Sequence, residues 1–285
     1  MAQNLQSLKK RIKTAQNISQ IARAMEMIAA SKIKKAQAAA LNSKPYSDKI
    51  TEVLGRMLSA ARPEDTEHPF MIKNEGVTRD LVVAFSPDKG LAGSLVTNLS
   101  KKMLAFEPSK HTAITVGRKI EKFASKVDYD VHASFPFGTK FPAFAAVYPL
   151  MKLIGELYLQ KKVAQVHVVY TEFRTMFSLG PSTFKLLPVE PQAHAEGAPH
   201  ELPYKFEPDT KYILNELIPY YLEIKLYNAL IQSYTSEQAA RMVAMGSAKD
   251  NALDITDSLT LVYNKTRQER ITNEILDISN AKLSQ

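Results

Sequence analysis

Between Phe85 and Leu95 the sequence reads FSPDKGLAGSL, a stretch whose residue types and spacing could hold a phosphate. An apolar run enters it, and a Gly-x-x-Gly turn, Gly90 to Gly93, opens what reads as a helix. Free backbone amides at such a helix start can cradle an anion. The stretch lacks both the Gly-x-Gly-x-x-Gly fingerprint of dinucleotide folds and the Gly-Lys-Ser/Thr of a phosphate-binding loop. Glycines at those positions also serve a tight turn and close helix packing, which leaves Asp88 and Lys89 as surface charges.

Other catalytic or ligating patterns are missing. The histidines, His68, His111, His132, His167, His194 and His200, are scattered, and no two share a helix at the i, i+4 spacing of a metal site. His132 and His167 fall within strand-like runs and read as core or edge residues. With no cysteine, disulfides, thiolate zinc and cysteine catalysis are excluded, and a reducing compartment is expected. No nucleophile elbow or Ser/His/Asp arrangement is visible. The expectation is a chain with no catalytic residue, no metal and no cofactor.

Charge is the stronger signal. The net charge is +8. Residues 1–44 carry Lys9, Lys10, Arg11, Lys13, Arg23, Lys32, Lys34, Lys35 and Lys44 against the single acid Glu26, which accounts for all of it. A basic rod on a neutral body points to an anionic partner: nucleic acid, an acidic protein surface or anionic lipid. Apolar residues at 45% and charged residues at 23% describe an ordinary folded, soluble chain. No window reaches the roughly 18 uninterrupted apolar residues of a membrane span. MAQNLQSLKKRIK has no apolar core for a secretory signal and reads as mature structure.

These side chains need elements to carry them. Leu5, Leu8, Ile12, Ala15, Ile18, Ala22, Met25, Ala29, Ile33, Ala36 and Ala40 step by three or four, one apolar seam on a helix reaching about Leu58. Pro45 is expected to kink or break it. Residues 61–76 read as a linker. From about 78 to 190 the period changes. DLVVAF (80–85), TAITVG (112–117), DVHASF (130–135) and QVHVVYTEF (165–173) read as strands, with helices over 95–106, 118–126 and 143–161. The alternation predicts a mainly parallel sheet covered by helices, with STFKLLPV pairing antiparallel at an edge. Residues 188–203 read as a return linker.

From about Pro208 helix resumes and runs almost to Gln285, with a kink expected at Pro219. Some 65 residues beyond that kink would span on the order of 100 Å, so the helix is expected to project. Met245, Ala248, Ala252, Ile255, Leu259, Val262 and Thr266 keep a coiled-coil rhythm, with the first helix as the antiparallel mate. Past Thr266 the rhythm lands on Glu269 and Asn273. The helix is therefore expected to outrun its partner and present Arg267, Gln268, Arg270 and Asn273. The fold class is α/β: a long antiparallel coiled coil of the N- and C-terminal helices with an inserted Rossmann-like α/β domain. The expected division is 1–60, 77–190 and 205–285.

ISQIARAMEMIAASKIKKAQ (18–37), DKGLAGSL (88–95) and SEQAARMVAMGSAKDNALDITDSLTLVYNKTRQERITNEILDI (236–278) resemble signature segments of the γ subunit of F-type ATP synthases. The resemblance spans nearly the whole chain. It implies a non-catalytic central rotor shaft of a proton- or sodium-driven complex, with its coiled coil inside a ring of three α and three β subunits. The α/β domain would meet the ε subunit and the membrane c-ring, with no nucleic acid and no direct membrane insertion. The place implied is peripheral, on the cytoplasmic face of a bacterial inner membrane. Met25, Arg241, Arg267, Gln268 and Thr272 resemble the family's contacts to β subunits, and Tyr204 and Phe206 its foot on the c-ring. Glu269 and Arg270 depart from the small residues usual there, and the tip NAKLSQ is more polar than the family's. The competing reading is a basic coiled-coil adaptor that binds an anionic partner such as nucleic acid. A further one is an enzyme with a nucleotide at Gly90–Gly93.

Overall fold

The computed structural model describes residues 2–60, 68–190 and 209–283. The element order is α1 (Ala2–Ala60), β1 (Asp80–Phe85), α2 (Leu95–Met103), β2 (His111–Val116), α3 (Arg118–Lys126), β3 (Asp130–Phe135), α4 (Tyr148–Leu159), β4 (Val166–Phe173), β5 (Leu179–Leu187) and α5 (Thr210–Leu283). The strands lie where the period-2 runs placed them. The two long helices continue through their interior prolines, Pro45 and Pro219. The chain forms two compact units, Met1–Ala30 with Arg241–Gln285, and Ser31–Ala240.

In the larger unit the sheet order is β3-β2-β1-β4-β5. The first four strands are parallel, and β5 returns antiparallel on β4, as the short βturnβ connection requires. Two successive crossovers, β1-α2-β2 and β2-α3-β3, step the same way and so lay α2 and α3 on one face. The third steps back past β1. A right-handed connection then puts α4 on the opposite face.

Alternation along β1 feeds both faces. Val82 and Ala84 pack with Leu99 and Met103 of α2 and Ile120 and Ala124 of α3. Leu81, Val83 and Phe85 join the larger core with Ile154 and Tyr158 of α4, Leu54 and Met57 of α1, and Leu222, Leu226 and Tyr234 of α5. The C-terminal half of α1 and the N-terminal part of α5 thus belong to the α/β core. Polar side chains lock α5 to the sheet as well. The Phe173 amide donates to Gln232 Oε1 (3.0 Å), and Ser236 Oγ donates to the Thr171 carbonyl (3.1 Å).

One crossing leaves no room for a side chain. Gly117, between β2 and α3, has φ of 108° and donates its amide to the Phe135 carbonyl (2.8 Å). A Cβ placed there would lie 1.9 Å from the Ser86 carbonyl oxygen. Two histidines, buried His68 and half-buried His167, have lowered pKa values. Burial lowers the pKa of His68, whose Nδ1 accepts the Phe70 amide at 3.1 Å. His167 is also lowered, chiefly by burial; Asp80 opposes the shift, and His111 and Lys185 add to it.

Two outcomes are expected. Gly117→Ala combines a backbone clash with a left-handed φ and costs about 3 kcal/mol or more, read from urea unfolding. Both histidine values are lowered on folding, so the unfolded chain binds more protons in the window below about pH 6.5. Stability is therefore full above that pH and falls as pH drops from about 7 towards 5. The joint His68→Gln and His167→Gln variant flattens that slope in urea midpoints measured across the same range.

Candidate functional site

The smaller unit pairs the start of α1 with the end of α5. Glu26 meets Gly246 and Lys249, whereas Leu5, Gln6 and Lys9 share a cleft with Tyr263, Arg267, Arg270, Ile271 and Glu274. Low numbers on one helix face high numbers on the other, so the pair is antiparallel.

The seam of α1 runs through Leu8, Ala15, Ser19, Ala22 and Ala29, and that of α5 through Met245, Ala252 and Thr256, all buried. This corrects the phase expected from the sequence at four places. Ile18 is 49% exposed while Ser19 is 7% exposed. On α5, Ile255 is 52% exposed and Thr256 is 8% exposed, and Val262 gives way to half-buried Tyr263. Met25 is only half-buried, and Glu26 takes the seam side. At Ile18 and Ile255 the cause is size: small side chains let two helix axes approach, whereas isoleucine would hold them apart. Burying Thr256 costs little, because its hydroxyl donates to its own helix at the Ala252 carbonyl (2.8 Å).

Large apolar residues are left on the outer sides of both helices. Ile18, Ile21, Met27 and Ile28 on α1, and Leu253, Ile255, Leu261 and Val262 on α5, are large, apolar and exposed. Sequence reasoning missed this surface by assigning three of these residues to the seam. The available signal was an apolar count larger than one seam can hold. Exposed Lys9, Lys10, Arg11, Lys13 and Arg23 share α1 with them.

The expected site residues fall at separate levels. Met25 lies beside Glu26, hence near Gly246, five residues along α5 from the half-buried Arg241. Arg267, Gln268 and Thr272 are exposed about 30 Å further along the helix. Thr272 Oγ1 donates to the Gln268 carbonyl at 3.0 Å, which holds that turn together. Here α5 does not outrun its partner, because helix α1 already begins at Ala2 and still flanks Arg267 and Arg270. The shared cleft encloses about 320 Å³, and Arg270 Nε is held by Glu274 at 2.7 Å. Tyr204 and Phe206 lie outside the described residues.

The loop after β1 is not an open anion cradle. Asp88 is half-buried rather than a free surface charge. Its carboxylate accepts the amides of Arg118 (3.0 Å), Phe137 (3.3 Å) and Gly138 (2.8 Å). Ser86 Oγ accepts the Ile120 amide at 2.9 Å. Gly117 cannot cap α3 with a side chain, so the β1 loop supplies both caps, and Asp88 fills the place a phosphate would take. At the switch point beside β1, β4 turns directly into β5, so it offers no helix N-terminus there. Among the described residues no group of three or more His, Asp or Glu is placed to hold a metal, and no helix is long and apolar enough to cross a membrane. The geometry supports recognition by packing and charge.

A family model described as ATP synthase matches residues 4–282. An ATP synthase gamma chain of Dehalococcoides mccartyi is 39% identical over 279 residues, covering 96% of both chains. One from Stenotrophomonas maltophilia is 35% identical over 277 residues, covering 95% of this chain and 96% of the relative. Among solved structures, a chain of the Euglena gracilis mitochondrial ATP synthase (OSCP/F1/c-ring, rotational state 3) has a TM-score of 0.73. It is 18% identical, over 100% of this chain and 95% of that one. A chain of the Tetrahymena thermophila central stalk and c-ring has a TM-score of 0.59 at 23% identity, over 80% and 99%. At those identities the likeness is one of fold.

The capping role of Asp88 is testable. Asp88→Ala leaves three amides without their acceptor and lowers the stability of the α/β unit by about 1–3 kcal/mol in urea unfolding. Titration with ATP shifts the melting temperature of neither protein.

Proposed function

The chain belongs to the ATP synthase gamma-chain family, and from that membership we propose how its surfaces serve as the central rotor shaft. It is a non-catalytic subunit, and bond chemistry belongs to the β subunits of the complex. The observation that carries the proposal is the outward apolar and cationic face of the two-helix unit, left over after the helices have satisfied one another. Three α and three β subunits surround that face. The ε subunit and the membrane c-ring meet the α/β domain, on the cytoplasmic side of a bacterial membrane.

The physics separates two kinds of contact. Burying an exposed isoleucine is worth about 1.5–3 kcal/mol, but a partner that gains it equally at every angle gains no preference among angles. Coupling needs contacts that differ between orientations. Cations at a few levels of the shaft provide them, because each meets a carboxylate only in some orientations, and such exposed pairs are individually weak enough to exchange. Arg241 and Arg267 suit this role, since a planar guanidinium can hold a carboxylate through two hydrogen bonds. Met25, half-buried beside Glu26, faces a β-subunit lever at the level near Arg241, and Gln268 and Thr272 accompany Arg267 at the level towards the end of α5. Tyr204 and Phe206 form the foot on the c-ring. The nucleic-acid adaptor reading is not favoured, because it has no use for the apolar face or for the polar end of α5.

The test is ATPase activity of cognate α and β subunits with and without this chain, with gel filtration alongside. One large complex and activated, steady turnover are expected; failure to join or activate cognate subunits sinks the proposal. Arg267→Ala and Gln268→Ala together lower the complex's steady ATPase severalfold with unchanged helix content by circular dichroism. Met25→Lys leaves assembly intact and lowers ion pumping per ATP hydrolysed.

A further inference from the structure

The middle of the helix seam poses a problem of register. Ala15, Ser19, Ala22 and Ala29 face a helix whose buried positions there are Met245, Ala252 and Thr256. On α1 these knobs are of nearly equal size and exchange like for like when one helix slides by a turn, so only the bulk of Met245 marks a height and the seam specifies its alignment weakly. The Thr256 hydroxyl does not help, since it is spent on its own helix.

One place on the seam is different in kind. Glu26 is the only acid in the first 44 residues, and it is turned towards α5. Its Oε1 lies 3.3 Å from where a Cβ on Gly246 would stand, so the carboxylate rests closely against the notch that the missing side chain leaves. One turn away, Lys249 Nζ reaches Glu26 Oε2 at 3.1 Å, with Asp250 Oδ1 on its other side at 3.5 Å. The two side chains are 30% and 26% exposed, so the pair is partly withdrawn from water. A notch, a group that rests against it and a charge that holds that group coincide at one alignment only. Moved by a turn, about 5 Å, towards Met242, Glu26 would meet a side chain in place of the notch and lose Lys249; moved the other way it would meet the like-charged Asp250 in place of the notch.

We propose that the Glu26 carboxylate, seated over Gly246 and paired with Lys249, sets the axial register of α1 against α5. Glu26 and Lys249 are positioning residues. They hold Met25 at a fixed height relative to Arg241, and any consequence for rotary coupling rests on the rotor reading. The register itself does not, because it can be measured on the full chain alone.

The chain has no cysteine, so a pair introduced on exposed positions reports without background. Spin labels on Gln6→Cys and Ser247→Cys lie on opposite helices at different heights, and one turn of slip moves them by about 5 Å. The parent is expected to give one narrow distance. Glu26→Ala, Gly246→Ala and the milder Lys249→Met are each expected to add a second population displaced by about 5 Å at unchanged helix content. Exchanging the charges, Glu26→Lys with Lys249→Glu, is expected to restore the single distance. A single unshifted distance in these variants, or a second population that the exchanged pair leaves in place, overturns the proposal.

Discussion

The close approach of α1 and α5 is the constraint on which the rest of the smaller unit depends. Two helices lined with alanine, serine and threonine can bring their axes nearer than helices lined with leucine. Little apolar area is gained per residue, so the pair relies on length and on contact between backbones. The cost appears on the outside. Large residues that a looser coiled coil would bury, Ile18 and Ile255 among them, are turned outward. An apolar face of that extent marks a surface that other molecules cover. On the reading proposed above, the covering molecules are the subunits whose conformations the shaft biases.

The α/β unit is built on the opposite economy. Its sheet is buried on both faces, and β1, at its centre, contributes alternate residues to two cores. Backbone groups that in other open α/β sheets would face a ligand are satisfied internally. Asp88 and Ser86 close the start of α3, and β5 takes the place of a helix after β4. The unit's larger core takes in the C-terminal half of α1 and the N-terminal part of α5. It offers no chemistry of its own.

Charge and packing therefore play separate parts. The exposed cations of α1 lie on a helix whose seam is nearly free of charge, and the Glu26–Lys249 pair is the point where the two meet. Its hydrogen bond to Glu26 is the first cause of a raised Lys249 pKa. Lys249 thus stays charged across the physiological range.

Much was legible without coordinates. The 2-residue and 3.6-residue periods located every strand and helix, because burial of one face imposes those periods on any sequence. The antiparallel edge strand and the order of elements followed from where the turns fall. The phase of the helix seam was not. Steps of three and four are ambiguous by one residue at each turn, and a rule that prefers the larger apolar side chain chose Ile18 over Ser19 and Ile255 over Thr256. Distance between the helices decides that choice, and it is a property of the pair. Asp88 escaped for the same reason: Arg118, Phe137 and Gly138 lie 30 to 50 residues beyond it in the chain. Local sequence determined the elements, the charge and the absence of catalytic groups. Only the tertiary structure decided which side of each helix faces inward, and which carboxylates are held by the protein itself, because those depend on what the rest of the chain brings near.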